Sequence, residues 1–229
     1  MRGAAMSLPA AASGLVVLLL TVPVIQGQDG WGVTYSSTEI CALKGSTVDM
    51  SCTYRYPSTV QRVENRFWFR KEHNDVYTNL KTDPQYSGRV QHICGNNNCR
   101  LRITDLRESD SAEYKFRFIT DQEGGRYTGE PGVTLTVTDL QVRVDRSHVF
   151  PTELWARLMC HSRCRLPGRP HYIWYKNGRI IQGETSSYYS GSFTPTDSFS
   201  CAVAGHENCR SPPLWVSVVT GANPSYFSG

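Results

Sequence analysis

The chain has 229 residues, of which 39% are hydrophobic and 19% charged, with a formal net charge of +4. That length exceeds one small domain and suits two domains of roughly 100 residues with an appendage. The Lys and Arg residues are scattered and mostly answered by acids, which excludes nucleic acid as a partner read from charge. No Gly-x-Ser-x-Gly, paired-carboxylate cleft or metal triad stands out, so the chain is read as a non-enzyme with no cofactor and no metal.

The appendage comes first. Residues 1–27, "MRGAAMSLPAAASGLVVLLLTVPVIQG", carry a lone Arg2, an apolar run from Gly14 to Ile25, and small or polar residues after it. This pattern predicts a secretory signal peptide cut near Gly27, too short and wrongly flanked for a membrane helix. All eight cysteines lie beyond it: Cys41, Cys52, Cys94, Cys99, Cys160, Cys164, Cys201 and Cys209. An even count in a secreted chain reads as a disulfide framework. Cys160-x3-Cys164 and His206-x2-Cys209 have metal-ligand spacing, but an oxidising compartment and a β-rich pattern favour disulfides.

The remaining chain repeats one unit. Cys52, Trp68 and Tyr114 mark the first copy, and Cys160, Trp174 and Cys201 the second. A Cys on one strand and a Trp on the next, with this spacing, predicts an all-β fold of two tandem immunoglobulin-like sandwiches. The stretch from Trp68 to Phe116 is long enough for the extra strands of a V-set domain, placed at 28–138. The shorter one from Trp174 to Cys201 fits only a small C2-type domain, placed at 139–220, with a tail at 221–229. Val133, Leu135 and Val137 alternate with Thr134, Thr136 and Thr138 as in a half-buried strand. The boundary near "VTDLQVRV" leaves a linker of a residue or two, and so a stiff tandem.

In "DSAEYKFRFIT", Asp110, Ala112 and Tyr114 match the usual F-strand pattern, but the Cys position holds Phe116. Alternation sends Tyr114, Phe116 and Phe118 into the core and Lys115 and Arg117 onto the exposed face. Cys52 is therefore expected to bridge elsewhere, to Cys99 in "CRLRITDL" on strand E, which neighbours strand B in the same sheet. Such a move lets the sheets splay and leaves the outer face of strand F for recognition. Taken alone, Arg117 reads as a solvated charge paired with Glu130 or Asp121.

Four features together resemble the Siglecs, the sialic-acid-binding immunoglobulin-like lectins, with a sialoadhesin-like first pair of domains. They are "WGV" at Trp31 to Val33, the cysteine pair Cys52 and Cys99, "YKFRF" on strand F, and Tyr127 on strand G. The resemblance spans residues 29 to 220. It implies a salt bridge from Arg117 to a sialic acid carboxylate, which a planar guanidinium can grip fork to fork. It also implies Trp31 against the N-acetyl group and Tyr127 against the glycerol tail, where a tryptophan is usual. Main-chain groups of Thr128 and Gly129 complete the implied site, and the segment from Trp68 to Tyr86 is expected to set linkage preference.

The same resemblance implies an interdomain disulfide. Its second-domain half is Cys164 and its first-domain half, on the residues available, is Cys41. Cys160–Cys201 closes the second sandwich, leaving Cys94 and Cys209 unassigned; Cys164–Cys209 with Cys41–Cys94 is the competing arrangement. Phe199 in "TDSFSC" replaces the usual corner tyrosine. No Asn-x-Ser/Thr acceptor occurs, and no apolar run of about 20 residues follows the second domain. The implied partners are sialylated glycoproteins or glycolipids outside the cell, with a membrane involved only if the chain belongs to a longer receptor. The rival reading is an adhesion or decoy protein that binds a protein partner without sialic acid.

Overall fold

The computed structural model describes residues 30–70, 79–149, 154–216 and 227–228. The expected signal peptide and most of the expected tail lie outside them. The strands follow the alternation of the sequence. In β3 (Val48–Arg55), Val48, Met50, Cys52 and Tyr54 are buried while Asp49, Thr53 and Arg55 are exposed, the period of two of a strand with one covered face. With β1 (Gly32–Tyr35), β6 (Asn98–Ile103) and β5 (Val90–Gly95) it forms a sheet of order β1-β3-β6-β5. The facing sheet runs β2 (Glu39–Leu43), β9 (Val133–Thr138), β7 (Ala112–Thr120) and β4 (Val63–Arg70), with β8 (Arg126–Thr128) paired, among the described residues, to β7 alone. Phe116 meets Trp68 edge-on at 5.6 Å and Tyr54 at 5.4 Å. Aromatic packing thus fills the place where a cystine would cross between the sheets.

The second sandwich packs β10 (Gln141–Val149), β11 (Leu154–His161) and β14 (Tyr188–Phe193) against β12 (Tyr172–Lys176), β13 (Arg179–Ile180), β15 (Ser198–Val203), β16 (Leu214–Val216) and β17 (Phe227–Ser228). Trp174, Phe199 and the Cys160–Cys201 disulfide lie at its centre. Both halves are all-β, as the sequence predicts. Only Asp139 and Leu140 separate β9 from β10. Leu43, the last residue of β2, is buried with Leu140 in the core of the second sandwich. A Cys41–Cys164 disulfide crosses the junction. Beside it, Arg163 donates to Glu108 Oε1 at 2.6 Å, and its N–H donates to Thr138 Oγ1 at 3.0 Å.

The expected Cys52–Cys99 bridge is corrected by the structure: Cys99 is bonded to Cys94. Cys99 faces Cys52 across β3–β6 and Cys94 across β5–β6, so all three lie in one row. The sequence separation within the β5–β6 hairpin is only 5, and a short loop is the easier one to close. Cys52 stays a buried thiol whose pKa is pushed up to about 12 by burial, which keeps it unreactive. Cys209 is also a thiol, so the competing Cys164–Cys209 and Cys41–Cys94 arrangement does not occur. Cys160 and Cys164, the metal-spaced pair, are each consumed by a disulfide.

In the second sandwich Asp197 takes on structural duties near the missing corner tyrosine. Its carboxylate accepts from Thr194 N–H at 2.9 Å, Thr194 Oγ1 at 2.8 Å and Asn177 Nδ2 at 3.0 Å, and pairs with Lys176 Nζ at 2.9 Å. Burial by itself would raise its pKa, but these donors outweigh burial and hold it at about 2. The unfolded value is about 3.9, so the folded value is the lower one. This contribution is therefore complete above about pH 4 and is lost as pH falls toward 2. The melting temperature of the second domain is expected to drop across that window in the wild type and to change less in Asp197→Asn. Calorimetry from pH 5 to 2 checks it, and equal slopes for the two proteins would refute it.

Candidate functional site

β7 lies between β4 and β8, with Arg117 opposite Phe67 on one side and Thr128 on the other. Tyr114, Phe116 and Phe118 are fully buried. Arg117 is half-buried on the outer face and donates from Nη1 to Thr128 Oγ1 at 3.4 Å. Lys115 points the same way but is not exposed, contrary to expectation. It is 5% accessible, with Nζ 2.6 Å from Glu130 Oε1 and 3.5 Å from Glu113 Oε1. These two carboxylates cover the ammonium, so Glu130 answers Lys115.

Tyr35, at the end of β1, enters the β7–β8 ladder, a role the sequence did not announce. Its hydroxyl accepts from Phe116 N–H at 2.8 Å and donates to the Gly129 carbonyl at 3.2 Å. Gly129 N–H in turn donates to the Phe116 carbonyl at 3.0 Å. The phenol is an inserted link in what would otherwise be a direct backbone bond. Burial raises its pKa strongly, so it keeps the proton it donates. A Cβ on Gly129 would sit 2.4 Å from that hydroxyl and 2.7 Å from Val33 Cγ1. Gly129 is thus a spacing residue with both main-chain groups engaged inside the protein, which corrects its expected role as a ligand-facing donor.

Thr128 differs. In an antiparallel pair the bonded and non-bonded positions alternate. Phe116 and Gly129 occupy a bonded position, so Arg117 and Thr128 occupy a non-bonded one. The N–H and C=O of Thr128 therefore point to the free edge of β8. Arg126 turns its own N–H back to the Gly124 carbonyl at 2.7 Å, and its carbonyl shares that edge.

Trp31 stacks on Phe118 at 5.6 Å with an interplanar angle of 15°, and on Tyr127 at 6.4 Å and 19°. Tyr127 is opposite Phe118 and so lies on the core side of the hairpin. The structure brings Trp31 and Tyr127 together on that side, and Arg117 and Thr128 together on the other. The free edge of β8 runs between the two pairs. Of the segment expected to set linkage preference, residues 71–78 lie outside the described residues; Asn79 bridges to Phe69, and Leu80 is buried.

Residues 42–140 match the family model "B-cell receptor CD22-like, first Ig-like". The match assigns an immunoglobulin-like domain to those residues. The match supports a Siglec-related first domain. Two mouse (Mus musculus) proteins are also similar to this chain. Selection and upkeep of intraepithelial T-cells protein 3 is 26% identical over 184 residues, covering 75% of this chain and 39% of that protein. Protein 2 of the same name is 27% identical over 185 residues, covering 76% of this chain and 45% of that one. The chain thus spans under half the length of these relatives. Titin domains z1z2, solved in complex with telethonin, superpose with a TM-score of 0.34 at 17% identity, covering 75% of this chain and 88% of that one. The immunoglobulin-like domain match points to a non-enzymatic protein, and together with three disulfides it fits an extracellular setting. Among the described residues no helix is long and apolar enough to cross a membrane.

Proposed function

We propose that the free edge of β8 is a lectin site for terminal sialic acid within a cell-surface recognition or adhesion protein. The observation that carries this reading is the placement of a guanidinium and an aromatic stack on the two sides of one unpaired strand edge. Arg117 takes the sugar carboxylate as a bidentate partner. The outward N–H and C=O of Thr128 bond the polar substituents, and Trp31 with Tyr127 supplies the apolar wall beyond the edge. Each hydrogen bond to a charged group contributes about 1.5–3 kcal/mol, so a single site is weak and adhesion depends on clustered copies.

The test is binding of a clustered Fc fusion of residues 28–220 to sialylated cells, with and without sialidase, beside Arg117→Ala and Arg117→Lys. Loss of binding with sialidase and with both variants is expected. Binding that survives all three treatments overturns the lectin reading and assigns this face to a protein partner.

A further inference from the structure

The outer face of the β10-β11-β14 sheet, in the second domain, has no role in the lectin reading. Register places Arg143, Arg146 and His148 of β10 beside Met159, Arg157 and Trp155 of β11, with Tyr188 of β14 opposite Met159. Alternation puts all of these on one side. The opposite side, formed by Val142, Leu154, Ala156, Leu158 and Cys160, is the buried core. Arg143 is exposed, and its guanidinium donates to a neutral group, Gln141 Oε1 at 2.8 Å. The Arg146 side chain is 70% exposed. Arg157 lies over the Tyr188 ring at 5.0 Å, and His148 packs on Trp155 at 5.9 Å. Among the described residues, the acid on this face is Asp145, at the bulge between Val144 and Arg146. It is engaged by Arg157, whose Nε donates to Oδ2 at 2.6 Å, and Arg146 Nε lies 3.9 Å from the same oxygen. Three arginines against one carboxylate leave a positive strip along the strand direction, floored by aromatic rings.

Charge is unevenly divided along the chain in the same sense. Residues 139–220 hold nine Lys and Arg against six Asp and Glu, while residues 28–138 hold fourteen of each. A flat, positive, aromatic-lined sheet face complements a linear polyanion whose sugar rings can lay their C–H faces on the aromatics while its anionic groups meet the guanidinium forks. We propose that this face of the second domain binds a sulfated polysaccharide chain of the heparin type. Guanidinium groups pair bidentately with sulfate as they do with carboxylate and phosphate. The site is separate from Arg117 and stands whether or not the lectin reading does.

Immobilised heparin tests it. The full chain is loaded at about physiological ionic strength, near 0.15 M, and eluted with a salt gradient. The same is done for Arg143→Glu/Arg146→Glu, for Arg117→Ala, and for a charge-matched control in the first domain, Arg62→Glu/Arg107→Glu. The expected result is retention of the wild type, the Arg117 variant and the control, with the Arg143/Arg146 variant eluting at or near the loading salt. Wild type that is not retained overturns the proposal. So does a control that loses retention as fully as the Arg143/Arg146 variant, because the attraction is then one of net charge alone. Unchanged elution of the Arg143/Arg146 variant also overturns it, by placing the polyanion elsewhere.

Discussion

Gly129→Ala is expected to weaken binding at the proposed sialoside site and to lower the stability of the first domain by about 1–3 kcal/mol, the range for overpacking a filled site. An added Cβ would lie 2.4 Å from the Tyr35 hydroxyl and 2.7 Å from Val33 Cγ1. Neither neighbour is a flexible chain end, since the Tyr35 ring packs against Trp68 at 5.7 Å. Either the phenol leaves the ladder, orphaning the Phe116 N–H that it serves, or β8 shifts outward and moves the Thr128 main chain off the edge. Binding is expected to weaken by more than about tenfold, one decade being 1.4 kcal/mol. Tyr35→Phe on the same background removes the obstructing oxygen and should recover part of the stability. Denaturant unfolding and sialoside titration of the three proteins check this, and a Gly129→Ala protein that matches the wild type in both would refute it.

Asp110→Ala is expected to cost the first domain about 3–5 kcal/mol, the range for stranding one partner of a buried ion pair. Arg89 is 7% accessible and Asp110 is fully buried. Two parallel bonds join them, Nη1 to Oδ2 at 2.7 Å and Nη2 to Oδ1 at 3.0 Å. The same carboxylate receives Arg107 N–H at 2.8 Å, and the Asp110 carbonyl accepts from the Tyr114 hydroxyl at 2.6 Å. Removing the carboxylate leaves a guanidinium in the interior without the partner that binds it at two points. Replacing both partners, as Arg89→Met/Asp110→Leu, should therefore do less damage than removing one. Urea unfolding orders the variants, and a double variant less stable than Asp110→Ala would refute the account.

The sequence made the architecture legible because alternation and the two Cys–Trp units are local signals. "YKFRF" placed Phe116 in the core for the same reason, and the structure buries Tyr114, Phe116 and Phe118 as that pattern requires. The cysteine row was not legible. Cys99 has a cysteine across from it on each side, and which of the two is bonded depends on loop closure within a hairpin. Nor could alternation alone foresee that Lys115 would be covered, since Glu113 and Glu130 reach it from the same strand and from a later loop. The place of Tyr35 escaped because its meaning lies in three strands meeting, β1 reaching across to both partners of a ladder. Arg117 and Tyr127 were both visible, yet register places Tyr127 beside Phe118 and so on the far side of the hairpin. The edge of β8 is what lies between the two.

The junction described above has a consequence for torsion. β2 and β9 run side by side and parallel, and each is fastened covalently to the second domain, β9 through Asp139 and Leu140 and β2 through the Cys41–Cys164 bond. A single tether lets one body spin about another, whereas two adjacent tethers fix the bearing as well as the distance. Arg163, clamped to Glu108 and Thr138, resists the twist that remains. The compass direction in which the edge of β8 faces is thus set by whatever holds the second domain, so an array of anchored copies would present those edges in register.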